Sequence, residues 1–227
     1  MKKSVLFLSL FTASFSLAHA QVRPGGSLSS TDYASGSTGS RNNGFGIKGG
    51  LNLTNVHGTD KGGIPNRENL NTFMAGVYAQ FGLSNQVSIQ PELLYSRQGY
   101  RYQTATSTDQ RVNRLDYLKM PVLLVYNFLD NVSVHIGPEI ALLTKVKNAG
   151  ADQDLGTFGY NSIDYGVVGG AEFRLGPARV GARYDLGLAK IRKDNYATIG
   201  TNGQVDVPSG NVRNQAFQVY IGLGISN

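Results

Sequence analysis

The stretch YLKMPVLLVYNFLDNVSVHIGPEIALL, residues 117–143, decides the fold because its polarity alternates from one residue to the next. Every second residue from Leu118 to Phe128 is apolar, and the same holds from Val132 to Leu142. A period of two is typical of a β-strand with two unlike faces. Leu129-Asp130-Asn131 separates the two runs, so the stretch predicts a β-hairpin with a short turn.

The same period continues on both sides of this hairpin, from Gly44 to the end of the chain. No internal run approaches the ~20 consecutive apolar residues that a membrane-spanning helix needs. The pattern predicts an all-β fold with eight antiparallel strands. Their predicted ranges are 44–54, 71–82, 87–102, 114–128, 132–145, 162–174, 179–191 and 214–226.

The connections between the predicted strands alternate in length. Three are short, at 83–86, 129–131 and 175–178, and four are long, at 55–70, 103–113, 146–161 and 192–213. The alternating polarity alone fits a soluble barrel with an apolar interior as well as a membrane barrel with a polar one. Short turns at one end and long loops at the other are typical of outer-membrane barrels. We therefore predict an up-and-down transmembrane β-barrel of eight strands.

Aromatic residues support this orientation. Phe81, Phe128 and Phe173 each precede a short turn on the apolar face of a strand. Outer-membrane barrels carry aromatic girdles at both membrane interfaces. The three phenylalanines therefore predict the periplasmic girdle.

The first 20 residues have the features of a secretory signal peptide. Lys2 and Lys3 precede an apolar run over residues 5–17, and Ala18-His19-Ala20 is a small-x-small cleavage site. We expect cleavage after Ala20, a flexible linker rich in Ser and Gly over residues 21–43, and a barrel domain over residues 44–227.

Composition excludes several other classes of protein. The chain has 227 residues with a formal net charge of +6 and no cysteine. Without cysteine it can form neither a disulfide nor a thiolate metal site. The charges are mixed in sign and form no basic stripe, which disfavours nucleic acid as a partner. We expect no metal and no cofactor.

Five stretches together resemble the PorT-type outer-membrane β-barrel family, a group of small barrels of Gram-negative bacteria. The stretches are GIKGGLNLTN (46–55), YLKMPVLLVYNF (117–128), HIGPEIALL (135–143), DYGVVGGAEF (164–173) and ARYDLGLAKI (182–191). The resemblance covers residues 44–227 and implies the barrel fold and a place in the outer membrane of the cell envelope. The chain departs from many outer-membrane barrels in ending on Ile225-Ser226-Asn227. The barrel-assembly machinery reads a terminal aromatic residue in many of them.

The polar faces of the strands predict charges inside the barrel. A barrel of eight strands is only wide enough to be filled by its side chains. Charges held there must pair, because an isolated buried charge is strongly destabilising. We predict a salt-bridge network in the lumen. Its members are Glu92, Lys119, Glu139, Glu172, Arg183 and Asp185.

Two further positions suggest more specific chemistry. Arg97 falls on the outward face near the long-loop rim, where a cation can contact lipopolysaccharide phosphates or simply be solvated. His135 shares a face with Ser133 and Glu139, which suggests a lipid-modifying catalytic group. The other interpretation is that His135 is one more polar residue of the interior, and we expect no catalytic residue.

The leading hypothesis is a non-enzymatic outer-membrane scaffold. It would present its loops for envelope stability, adhesion or partner binding. Outer-membrane lipids and lipopolysaccharide would surround it, and the barrel-assembly machinery would insert it. The alternatives are an accessory component of a protein-secretion (type IX) apparatus, as the family name implies, a lipid-modifying enzyme that uses His135, and a narrow channel.

Overall fold

The computed structural model describes residues 44–58, 67–103, 110–157, 159–193, 198–199, 205–206 and 211–225. The predicted signal peptide (1–20) and linker (21–43) lie outside the described residues. Within those ranges, no helix is long and apolar enough to cross a bilayer.

Eight long strands form the fold, and three short ones lie in the connections between them. The long strands are β1 (Gly44–His57), β2 (Leu70–Gly82), β3 (Val87–Gln103), β4 (Gln110–Asn127), β5 (Val132–Asn148), β7 (Ile163–Leu175), β8 (Ala178–Gly187) and β11 (Arg213–Ile225). The short strands are β6 (Ala151–Gln153), β9 (Thr198–Ile199) and β10 (Val205–Asp206).

The eight long strands close into a barrel. Each pairs antiparallel with the next long strand along the chain, and β11 pairs with β1 along its full length, with Leu51 opposite Val219. Closure leaves the long strands without a free sheet edge, so their backbone groups can pair within the protein. The predicted eight-stranded antiparallel barrel is confirmed.

The short turns lie where the sequence predicts them, while the strands at the long-loop end differ in length. The β3–β4 ladder continues up to Gln103 opposite Gln110, so β4 begins four residues earlier than predicted. By contrast, β8 ends at Gly187 instead of residue 191. Beyond it, Ala189 and Ile191 leave the sheet and become buried. Burial of these apolar side chains favours the loop conformation over further strand pairing.

One predicted orientation is wrong. The alternation along β5 predicts that Lys145 faces the lumen beside Glu139, but its side chain is on the outer surface. The register between β4 and β5 shifts between Asp116 and Tyr117, which lie opposite Lys145 and Leu143. Thr144 is the extra residue of this β-bulge. Because of this extra residue, each later side chain of β5 points to the opposite side of the sheet from the one that strict alternation predicts.

The polarity of the barrel is inside-out compared with that of a soluble protein. Leu51, on the outer face of β1, is 71% exposed, whereas the neighbouring inward Lys48 is 3% exposed. Exposed apolar side chains cover the outside of all eight strands. A continuous apolar exterior around a polar interior is the arrangement that contact with lipid requires.

Inward glycines make room for two tyrosines in the narrow lumen. A Cβ atom at Gly181 would collide with the ring of Tyr220, and one at Gly46 would collide with the ring of Tyr78. Tyr220 also donates a hydrogen bond from its hydroxyl to Glu172 over 3.1 Å. The ring fills the space over Gly181 and reaches the charged interior at the same time.

We predict that Gly181→Ala destabilises the folded barrel by about 1–3 kcal/mol, because the added methyl group must displace the Tyr220 ring. The urea midpoint of unfolding, followed by circular dichroism in detergent micelles, measures the effect. Gly222→Ala is the matched control. It is also an inward glycine, but its Cβ would have no neighbour closer than 3.6 Å. Equal midpoints for the two variants would contradict the packing argument.

Candidate functional site

The lumen contains a network of charged side chains. All six residues of the network predicted from the sequence are buried there. Four further ionisable residues, Lys48, Asp164, Arg174 and Arg179, are buried in the same space. We call these ten residues the charge network.

Glu92 lies at the centre of the half nearer the short turns. One of its carboxylate oxygens accepts a hydrogen bond from Lys48 Nζ over 2.7 Å, and the other accepts one from Arg183 over 2.7 Å. Arg183 also donates to Gln218 from the neighbouring strand. Each of these residues is less than 5% exposed, so water does not screen the ion pairs. We expected Arg183 to pair with Glu172 or another carboxylate across the lumen, and that carboxylate is Glu92.

Glu172 binds the cations closest to the short-turn end. Arg179 lies 3.3 Å from one carboxylate oxygen, and Arg174 and Lys48 lie 3.9 Å away. Arg179 also donates to Gln80 over 2.6 Å. Lys48 lies 4.2 Å from the centroid of the Tyr220 ring, which adds a cation–π contact. This end of the lumen is therefore cross-linked by charge-assisted contacts from five strands.

Lys119 occupies the middle of the barrel between two carboxylates. Its Nζ donates to Glu139 over 2.6 Å and to Asp185 on β8. Asp185 accepts a further hydrogen bond from Gln98 over 3.0 Å. The positions of the inward residues along the strands predict that Lys119 lies between Glu92 and Glu139 and pairs with at least one of them. The pair with Glu139 forms, but Glu92 is not the second partner. Instead, the apolar Leu94 lies opposite Lys119 on β3, and Glu92 lies one pair closer to the short turns.

The charge network is balanced. Among the described residues, the lumen-facing Lys, Arg, Asp and Glu side chains comprise five cations, Lys48, Lys119, Arg174, Arg179 and Arg183, and five carboxylates, Glu92, Glu139, Asp164, Glu172 and Asp185. The network predicted from the sequence did not include Lys48, Asp164, Arg174 and Arg179. The inward period of β1, β7 and β8 was the signal that could have found them.

An apolar plug lies above the charge network at the long-loop end of the lumen. It consists of Val56, Leu115, Tyr117, Ala141, Leu143, Val146, Tyr160 and Ile191. Tyr160 and Ile191 come from the connections around β7 and β8, not from the barrel strands. The N–H of Ile191 donates to Val212 over 2.9 Å, and its carbonyl accepts from Asn161 over 2.9 Å. Two long connections are thus folded into the barrel mouth.

His135, Ser133 and Glu139 face the lumen but do not form a catalytic relay. Ser133 Oγ and His135 Nε2 have no hydrogen-bond partner among the described residues, and the bonded oxygen of Glu139 accepts from Lys119. A nucleophile and its base need hydrogen-bond contact, with a third group that orients the base. The ring centroid of His135 instead lies 6.5 Å from that of Tyr220.

On the outer surface, Phe81, Phe128 and Phe173 are exposed beside the short turns. Arg97 faces outward near the long-loop end, as predicted, but it is engaged by a neighbour. Its Nε and Nη2 atoms donate to the two carboxylate oxygens of Asp116 over 2.7 and 3.2 Å. Sequence reasoning missed this partner because Asp116 lies on the next strand.

Comparison with known proteins identifies the family. The chain matches the family described as outer membrane protein beta-barrel domain over residues 20–193. The protein belongs to this family of outer-membrane β-barrels. No curated protein sequence matches the chain. The family match ends before β11, the strand that closes the outer-membrane barrel against β1.

Solved structures of other outer-membrane barrels have a similar fold. Neisserial surface protein A is 17% identical, with a TM-score of 0.50 over 80% of this chain and 97% of that chain. The attachment invasion locus protein Ail of Yersinia pestis, in complex with the heparin analogue sucrose octasulfate, is 14% identical, with a TM-score of 0.42 over 81% and 99%. OprG of Pseudomonas aeruginosa is 11% identical, with a TM-score of 0.45 over 83% and 99%. At these identities the likeness is one of fold.

We predict that Lys119→Met lowers the unfolding free energy by roughly 3–5 kcal/mol, because it leaves Glu139 and Asp185 facing each other in the lumen without their cation. Urea unfolding in micelles measures the change. Lys145→Met is the control, since Lys145 has an exposed ion pair with Asp152, and exposed ion pairs contribute little to stability. Adding Asp185→Asn to Lys119→Met should recover part of the loss. A Lys119→Met midpoint equal to that of the control would exclude a structural role for the network.

Proposed function

We propose that this outer-membrane barrel is a non-enzymatic scaffold that anchors in the membrane and presents its long-loop end to the outside for partner binding. The observation that carries the proposal is the filling of the lumen. The charge network occupies the interior from the short-turn end to the middle, and the apolar plug occupies the mouth. We therefore expect the surface that binds a partner to lie outside the lumen.

The filled lumen argues against conduction. A permeating ion would have to separate ion pairs such as Lys48–Glu92, whose side chains are both fully buried, and then cross the plug around Tyr160. Pores that conduct ions offer them hydration or a weakly binding path. The balanced charges of the lumen also leave no excess of one sign to attract a counter-ion.

The interior chemistry also argues against catalysis. Central carboxylates such as Glu92 and Glu139 are held by ion pairs with lumen cations, and His135 has no hydrogen bond to Ser133. No group of three or more His, Asp or Glu side chains within the described ranges could hold a metal ion. A lipid-modifying reaction through His135 would require lipid to enter the filled interior.

Paired strands extend into the long-loop end and give its loops the rigid support that a binding surface needs. The β3–β4 and β4–β5 ladders continue to Gln103 and Asn148, and β6 pairs with the end of β5. Loops held by a rigid framework are the usual location of binding residues. The apolar plug adds support from inside, because Tyr160 fixes the connection between β6 and β7.

The more specific assignments remain predictions. Export through a cleaved signal peptide, insertion by the barrel-assembly machinery and membership of the PorT-type group follow from the sequence pattern and the resemblance. An accessory role in type IX secretion would use the same scaffold, with a secretion component as the partner. Co-purification of secretion components with the tagged barrel from native membranes would favour that role over adhesion.

We predict that a reagent added outside the cell can label the long-loop end, because the long loops of outer-membrane barrels face outward. The absence of cysteine permits a clean test with single-cysteine variants. Ala151→Cys, at the start of β6, should react in intact cells with a polymer-linked maleimide too large to pass porins. Asn131→Cys, in the turn before β5, should react only after permeabilisation. The reverse pattern would invert the proposed orientation.

We predict that the purified barrel produces no discrete channel openings in planar bilayers, because the charge network and the plug block the lumen. A general porin reconstituted in the same way is the positive control, and heat-modifiable gel migration verifies that the tested barrel is folded. Stable single-channel steps from the folded barrel would refute the scaffold proposal in favour of a channel.

A further inference from the structure

The outer apolar surface of the barrel ends at one level on β3, β4 and β5. On β4 the outward residues are apolar from Phe128 to Leu118, and on β5 from Val132 to Leu142. Each is a span of 11 residues, which matches the 9–11 residues that a tilted strand needs to cross a bilayer. The first outward polar residue beyond each span therefore lies at the level of the lipid headgroups.

Charged residues occupy that level on these three strands. Arg97 on β3, Asp116 on β4 and Lys145 on β5 lie opposite one another in the sheet. In the next outward row, Arg114 lies opposite Lys147. We call Arg97, Arg111, Arg114, Lys145 and Lys147 the basic rim patch; Arg111 lies at the start of β4, above this row.

The opposite side of the barrel differs at the same level. The first outward polar residues above the apolar surface are Asn55 on β1, Asn71 on β2 and Gln215 on β11. All three are neutral amides, and the nearest cation above them on β11 is Arg213. At this level, β3, β4 and β5 therefore carry charged residues where β1, β2 and β11 carry neutral amides.

The acidic neighbours of the patch do not neutralise it. Asp116 engages Arg97, and Asp152 is shared by Lys145 and Lys147 over 3.1 and 3.3 Å. Hydrogen bonds from these two ammonium groups, that of Lys145 first, lower the pKa of the Asp152 carboxyl group. Arg114 has no ion pair among the described residues. Exposed pairs such as those of Asp152 are weak and exchange readily for other anions.

A pocket of about 250 Å³ lies beside the patch. Arg111, Arg114 and Lys147 supply its charged lining, and Ala149 and Gly150 of the turn after β5 form another part of it. No acidic residue contributes to the lining. Two guanidinium groups and one ammonium group around a small concavity match an anionic group such as a phosphate.

We propose that the basic rim patch binds the phosphate groups of lipopolysaccharide in the outer leaflet, with Arg114 and Lys147 as the principal contacts. Lipid A carries its phosphates at the boundary between acyl chains and headgroup, which is the level that the apolar spans of β4 and β5 assign to the patch. Basic pockets at this depth are typical sites for anionic headgroups. The inference rests on the proposed orientation, which places the long-loop end in the outer leaflet.

The test uses the full-chain barrel in micelles of a neutral detergent and rough-type lipopolysaccharide with both lipid A phosphates. Native mass spectrometry counts the bound molecules and a titration gives the affinity. The variant is Arg114→Gln with Lys147→Gln. The control is Lys190→Gln with Lys193→Gln, which removes the same charge beyond the end of β8, outside the patch. Heat-modifiable migration verifies that every variant is folded.

We expect the patch variant to bind lipopolysaccharide at least about tenfold more weakly than the wild type, because two charge-assisted contacts are lost. The control should stay within about twofold of the wild type. Dephosphorylated lipopolysaccharide should bind the wild type as weakly as the intact lipid binds the patch variant.

Three results would overturn the proposal: unchanged binding by the patch variant, equal binding of dephosphorylated lipopolysaccharide, or a loss of affinity for soluble dextran sulfate with none for lipopolysaccharide. The last would assign the patch to an acidic polysaccharide. Because the binding assay uses purified protein, it is independent of the cysteine labelling in cells. An inverted orientation and a failed lipid site would therefore be distinguished.

Discussion

The hydrogen-bonding requirement of the backbone in hydrocarbon is the constraint on which the rest of this structure depends. A strand inside a bilayer cannot pair its amide and carbonyl groups with water, so every such group needs a partner in the protein. Eight strands meet the requirement only if the first pairs with the last, as β1 does with β11. Closure at this strand number fixes a narrow interior, and the narrow interior then determines which side chains can face it.

Inside this narrow lumen, buried cations need carboxylates nearby to offset their charge. Most of the five cations and five carboxylates of the lumen lie within 4.0 Å of an opposite charge, in buried pairs such as Arg183–Glu92, whereas Asp164 accepts a hydrogen bond from Asn214. Burying each ion pair carries a desolvation penalty. A buried ion pair therefore does not stabilise a fold more than well-packed apolar side chains of similar volume would. Its value here is to fill a lumen whose strands must present apolar groups to lipid, with equal numbers of cations and carboxylates inside.

The sequence predicts the strands and their facing well and the contacts poorly. Alternation and loop length identify eight strands, because both are local properties of the chain. The bulge at Thr144 is missed because one extra residue leaves the apolar pattern of β5 intact up to Leu142 and shows only in its pairing with β4. Contacts such as Lys119–Asp185 join residues 66 positions apart. They depend on the stagger of strands around the barrel, which no single strand encodes. For the same reason, the sequence places Arg97 at the rim but does not reveal Asp116 beside it.

The apolar plug has a mechanical consequence. Tyr160 and Ile191 fasten two of the long connections to the inside of the barrel, where they belong to the same buried cluster as Leu115, Tyr117 and Leu143 of β4 and β5. A tensile load applied to the tip of either connection therefore reaches the strand walls through side-chain packing as well as through the chain itself. Pulled along the strand direction, neighbouring strands resist in shear, with many hydrogen bonds stretched together instead of opening one at a time. A pull on either connection would therefore be shared among several strands of the barrel.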